Sequence, residues 1–181
     1  MDWLTHLDIS TLYWLHQSVG STVMNRFIVS RTTLINCLWL WLAVGITGLW
    51  QKRSRWLVVT VIVAVGAAVL IGDGALKHVV MRTRPCFLLS DAPLLMPLPS
   101  LHSYSFPSGH SFFFFSGATA IYGWNHRLGQ VAYGVALLVA FSRLYLFMHF
   151  PSDVLAGAIL GILVGRCAYL ACRHVQKSIT K

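Results

Sequence analysis

The chain has 181 residues, of which 56% are hydrophobic and only 10% charged. An ordinary soluble domain carries about 25% charged residues, so a soluble globular class is excluded and residues 1–181 read as a single membrane domain. The formal charge of +9 does not point to nucleic acid, because the cations collect in the links between apolar stretches.

Trp3 to Ser30 comes first. Leu4, Leu7, Leu12, Leu15, Val19, Val23 and Phe27 recur at helical spacing, with His6, Asp8, His16, Gln17, Asn25 and Arg26 between them. This pattern predicts an amphipathic helix over about residues 1–30, lying in the membrane interface rather than crossing it. It lacks the charged start, uninterrupted apolar core and small-residue cleavage site of a signal peptide. Crossing a bilayer by helix takes roughly 20 mostly apolar residues. Stretches near that length follow at about 33–50, 56–76, 107–124 and 129–147, and a last one runs from Pro151 to Cys172. The expected fold is an all-α integral membrane bundle of about five transmembrane helices plus the N-terminal amphipathic helix.

Lys52, Arg53 and Arg55 fill the first link, Arg127 marks another, and Arg173, Lys177 and Lys181 close the chain. The positive-inside rule makes these places cytoplasmic. The loop 82–106 and the turn from Phe147 to Pro151 then fall on the outer side. Cys167 and Cys172 read as inert core thiols near the cytoplasmic end; Cys37 and Cys86 both fall near the outer face, which leaves a disulfide open.

Three clusters share that outer boundary. In KHVVMRTRPC, Lys77 and Arg84 lie seven residues apart, about two helical turns and 10.5 Å along one face, so they can close on an oxyanion from two sides; Arg82 points away from that face. Simple snorkelling of cations at a helix end explains the same residues. In YSFPSGHSFFFF, Pro107 suits a first helical turn, with Ser105 or Phe106 as cap. The amides of Ser108, Gly109 and His110 then sit at the positive helix end, where anions bind, and His110 can exchange a proton near neutral pH. In SRLYLFMHFPSD, Arg143 ends one span, His149 follows in the turn, and Asp153 opens the last helix. A carboxylate at that spacing can accept one ring N–H of His149, leaving the other nitrogen as nucleophile or base, or it can cap the helix. Taken together, three cations, a helix start and two histidines describe a phosphate site. The chain has no glutamate and no carboxylate cluster, which disfavours a two-metal hydrolase; no metal and no cofactor are expected.

Lys77-x6-Arg84-Pro85, Pro107-Ser108-Gly109-His110 and Ser142-Arg143-x5-His149-x3-Asp153 resemble the three signature motifs of the type 2 phosphatidic acid phosphatase superfamily, which includes the vanadium haloperoxidases. The resemblance covers about residues 56–172. It implies a metal-independent phosphatase in which His149 forms a phosphohistidine, Asp153 orients it, His110 protonates the leaving oxygen, and Lys77, Arg84, Arg143, Ser108 and Gly109 hold the phosphoryl oxygens. It implies a lipid phosphate substrate, such as undecaprenyl diphosphate, phosphatidylglycerol phosphate, phosphatidic acid or a lipid A phosphate, met at the outer face of a bacterial cytoplasmic membrane. A lipid-to-lipid phosphotransferase and a binding or transport protein are the alternatives. Many undecaprenyl diphosphate phosphatases of this superfamily have Asp at the position of Gly109, and Trp3 to Ser30 stands where six-span members have a transmembrane helix. The loop from Cys86 to Phe106 reads either as an apolar lid or as a proline-stiffened connection.

Overall fold

The computed structural model describes residues 3–35, 55–100 and 103–179. The protein is an all-α integral membrane protein, with no strand among the described residues. Helices α1 (Trp3–Val19) and α2 (Thr22–Ile35) are followed by α3 (Arg55–Ile71), which runs through a π-helical turn, Gly72–Leu76, into the short α4 (Lys77–Val80). Then come α5 (Pro85–Leu88), α6 (Gly109–Trp124), α7 (His126–Tyr145) and α8 (Pro151–Ile179). By length and composition, Arg55–Leu88, His126–Tyr145 and Pro151–Ile179 can cross a membrane. The expected span at 33–50 and Cys37 lie outside the described residues from position 36 on.

Helix α6 is the centre of the bundle, packed by α8, α7 and α3. At 16 residues it is shorter than a free-standing span, and it is enclosed on most sides. Phe112, Phe114 and Phe115 are buried in protein contacts, Phe114 and Phe115 among Ala136, Val139 and Val154. From the sequence, Phe112 to Phe115 are expected to anchor the helix in hydrocarbon, some of them lining a slot for a lipid substrate's tails; three of the four instead face neighbouring helices. On α8, Gly157, Gly161 and Gly165 form a stripe at four-residue spacing. A Cβ at Gly157 would come within 2.6 Å of the Ser108 carbonyl oxygen, and one at Gly161 within 2.5 Å of that of Phe112. Helix α8 therefore lies backbone-close on α6, the contact that small residues permit between membrane helices. Ile62, Leu70, Val131, Leu138 and Leu155 point outward, as a lipid-facing surface requires.

The N-terminal region is two helices rather than one. The Gly20 amide donates to the His16 carbonyl and ends α1, and Ser21 Oγ accepts from the Met24 amide to start α2. Trp3 (78% exposed), Leu7 and Trp14 face outward, while Leu12 packs inward with Ala92, Phe147 and Phe150. Asp8, on the polar positions of the amphipathic pattern, is buried. One other expectation changes: Cys167 is exposed, whereas Cys172 is a buried free thiol as expected, and Cys86 is buried and free.

Candidate active site

The stretch from Lys77 to Arg84 is not a continuous helix. Met81 adopts a left-handed conformation (φ 49°) that terminates α4, and Arg84 is extended (φ −75°, ψ 152°) before Pro85 opens α5. The expected shared helical face of Lys77 and Arg84 is thus replaced by a helix end and a separate strap. This re-aims Arg84 inward, where it is 7% exposed. Its Nε and Nη2 donate to the carbonyl and hydroxyl of Ser103, both at 2.8 Å, and Nη1 donates to the Met148 carbonyl at 2.9 Å. Nη1 also lies 3.1 Å from His149 Nε2.

His149 sits in the turn between α7 and α8 and is 2% exposed. Phe147, with φ 54°, reverses the chain there, and the Met148 amide returns to the Arg143 carbonyl. His149 Nδ1 is 2.8 Å from the Ser105 carbonyl oxygen. A carbonyl can only accept, so Nδ1 carries the hydrogen and Nε2 presents a lone pair. Burial first, then the charge of Arg84, hold the imidazole pKa well below its ordinary value. The ring is therefore neutral at physiological pH.

Asp153 stands on the first turn of α8, fully buried. Its Oδ2 accepts from Ser105 Oγ at 2.5 Å and from the Phe150 amide at 2.9 Å, and its Oδ1 accepts from Arg82 Nη1 at 2.5 Å. The bond to Phe150 is the reach-back of a helix-capping box. The His149 ring is not among these partners, so the expected direct carboxylate–imidazole bond is replaced by a route through Ser105. Ser105 gives its hydroxyl proton to Asp153 and its carbonyl to His149.

Arg143 occupies the last turn of α7 and is 5% exposed. Its Nε is 3.3 Å from Ser142 Oγ, and its buried Nη2 has no hydrogen-bond partner. A buried guanidinium left this way is costly unless an anion joins it. Lys77 projects from the end of the π-helical turn, a feature frequent at functional sites, and pairs with Asp73 at 2.7 Å.

The opening of α6 completes the cluster. Ser108, not Ser105 or Phe106, is the cap, its Oγ accepting from the Ser111 amide and hydroxyl; Pro107 precedes the helix after a cis peptide. The Ser108 amide is already committed to the Asp153 carbonyl. At Gly109 a Cβ would lie 3.0 Å from Asp73 Oδ1 and 3.6 Å from Lys77 Nζ, which places that ion pair directly over the helix start. His110 packs on Phe113, ring centroids 5.4 Å apart, and lies within electrostatic reach of Arg143, Lys77 and Arg84.

The candidate residues from all three clusters therefore converge on one end of the bundle. Sequence reasoning missed the carboxylate of Asp73, although its four-residue spacing from Lys77 is a readable signal. It also set Arg82 aside on helical geometry. The break at Met81 turns Arg82 instead toward Asp153, Ser152 and Asp8. Among the described residues no group of three or more His, Cys, Asp or Glu side chains gathers as a metal-holding cluster.

The chain is similar to an undecaprenyl-diphosphatase of Sulfolobus acidocaldarius, 33% identical over 127 residues, which is 68% of this chain and 59% of that protein. It is also similar to phosphatidylglycerophosphatase B of Bacillus subtilis, 31% identical over 128 residues, 65% of this chain and 59% of that one. The matched region thus spans about three fifths of the length of these two relatives. A crystal structure of a transmembrane PAP2-type phosphatidylglycerolphosphate phosphatase from Bacillus subtilis superposes with a TM-score of 0.72 at 24% identity, over 99% of this chain and 89% of that one. The model of the PAP2 superfamily matches residues 54–176, the stretch that carries every cation and both histidines of the cluster, and the chain belongs to that superfamily.

Proposed function

We propose that this protein is a lipid phosphate or diphosphate phosphatase that works without a metal at the outer face of the membrane, through a phosphohistidine at His149. The observation that carries this reading is the buried, unpartnered Nη2 of Arg143, in a cluster where the hydrogen bonds of Arg84 all go to neutral groups. Two buried guanidiniums with no carboxylate on them are poised for an anion with several oxygens.

In this scheme the neutral Nε2 of His149 attacks phosphorus while the P–O bond to the lipid breaks. His110 gives its proton to the leaving oxygen. Arg84 Nη1 shifts its hydrogen bond from Nε2 to a phosphoryl oxygen, and Arg143, Lys77, Ser108 and the Gly109 backbone hold the others. Water then attacks the phosphohistidine, His110 takes its proton, the P–N bond breaks, and inorganic phosphate leaves. Asp153 acts on His149 through Ser105.

The names of the relatives favour undecaprenyl diphosphate and phosphatidylglycerol phosphate as substrates, and the family resemblance adds phosphatidic acid. A test is phosphate release from each purified lipid by wild type and His149→Ala. Release that depends on His149, survives EDTA and is blocked by vanadate supports the reading. Activity lost in EDTA and restored by magnesium overturns it, and phosphoryl transfer only in the presence of an acceptor lipid converts it to a phosphotransferase. Cys86 is buried, so sidedness is better read from Leu98→Cys in the exposed loop, labelled by an impermeant thiol reagent from outside.

A further inference from the structure

Four of the five acidic residues are among the described residues, and Asp8 is the one on helix α1, whose Trp3, Leu7 and Trp14 face outward. It is 3% exposed. An interfacial helix gains nothing by burying a carboxylate unless that charge is used. Asp8 Oδ1 accepts from the Ser152 amide at 2.9 Å; Oδ2 accepts from Ser152 Oγ at 2.5 Å and from Arg82 Nη2 at 2.8 Å.

Arg82 is the hub. Its Nη1 donates to Asp153 Oδ1 and, at 2.7 Å, to Ser152 Oγ; its guanidinium lies 4.1 Å over the Phe150 ring; and its backbone carbonyl accepts the Ser105 amide at 2.7 Å. Arg82 therefore grips both Asp153 and Ser105, the two residues through which the Nδ1 side of His149 is set. The guanidinium is held in turn by Asp8 from α1.

We propose that Asp8 and Arg82 are positioning residues for the nucleophile, acting along Asp8, Arg82, Asp153, Ser105 and His149, so that the amphipathic N-terminal helix is part of the catalytic apparatus. This rests on the phosphatase reading above. With Asp8 gone, Arg82 loses its fixed end and can leave Asp153, which frees Ser105 and lets the His149 ring change tautomer or tilt.

The test uses the full chain in lipid–detergent micelles with undecaprenyl diphosphate and phosphatidylglycerol phosphate. Asp8→Asn and Arg82→Gln are expected to lower kcat by between about 10- and 100-fold while KM moves less than about 3-fold. Arg82→Lys recovers part of the loss, and the double variant falls no further than Arg82→Gln alone, because both act on one network. Tyr13→Phe removes a different tether of α1, the bond to Asp91, and keeps the wild-type kcat. A folded Asp8→Asn with wild-type kcat, or additive losses in the double variant, overturns the proposal. If Asp8→Asn does not fold, Arg82→Lys and Arg82→Gln carry the same comparison. An inactive wild type on every lipid phosphate defeats the phosphatase reading instead, and ¹⁵N spectra of the histidine rings then decide the inference separately. A single Nδ1-protonated His149 that becomes mixed in Asp8→Asn upholds it, and an unchanged spectrum overturns it.

Discussion

The two ends of the bundle treat arginine in opposite ways. At one end Arg166 and Arg173 are exposed and lie 5.5 and 5.7 Å from the Tyr169 ring, with Arg173 also donating to the Tyr169 hydroxyl. An aromatic face for both and a phenol for Arg173 partner them outside the protein interior. At the other end Arg84 and Arg143 are sealed from solvent, the first among neutral acceptors and the second with an unpaired nitrogen. The same residue type is thus exposed and partnered at one end, and buried with an unpaired nitrogen at the other.

The sharpest way to break this contrast is at the proposed nucleophile: His149→Ala should abolish phosphate release and any acid-labile phosphoenzyme. Next, Arg84→Ala or Arg143→Ala should cost about 2.7–4 kcal/mol of transition-state stabilisation, the usual worth of one oxyanion donor, whereas Arg173→Ala should leave kcat/KM near wild type. Equal losses at both ends would remove the distinction between them. A smaller effect is expected on stability. Gly161→Ala pushes a methyl into the Phe112 carbonyl and should destabilise the fold by about 1–3 kcal/mol, while Gly134→Ala, which meets nothing within 4 Å, should be neutral or slightly stabilising; thermal unfolding in detergent checks both.

The smallest effect is in the pH profile. Because the lowered pKa of His149 favours its neutral form, protonation removes the nucleophile only well below pH 6.5, the ordinary histidine value. Activity should therefore not fall between pH 7 and 6 on account of His149. The acid limb of kcat/KM measures this, and a nucleophile titrating at the ordinary value would mean that the site is solvated like the opposite end.

Much of this contrast is legible in the order of residues along the chain. Apolar run lengths locate α3, α7 and α8, and the places of Lys77, Arg84, His110, Arg143 and His149 along those runs bring the candidates to one boundary. The Gly157, Gly161, Gly165 spacing is equally readable as a close helix crossing. What misleads is the assumption of regular helix between Lys77 and Arg84. Nothing in HVVMRT marks Met81 for a left-handed turn, a conformation that costs a side chain with a Cβ and is accepted only where surrounding contacts demand it.

The sequence by itself determined the class of the protein and named most candidates for its site, though not Asp73 or Arg82, because hydrophobic run length and residue chemistry are local properties. The tertiary structure alone decided which partner each polar group meets. Asp153 faces Ser105 and Arg82 rather than the His149 ring, Asp8 is drawn inward from the N-terminal helix α1, and Phe112, Phe114 and Phe115 face helices rather than lipid. The physical reason is the same in each case. Hydrocarbon and protein interior are alike to an apolar side chain, and a hydrogen bond depends on angles and distances of a few tenths of an ångström that spacing along the chain does not encode.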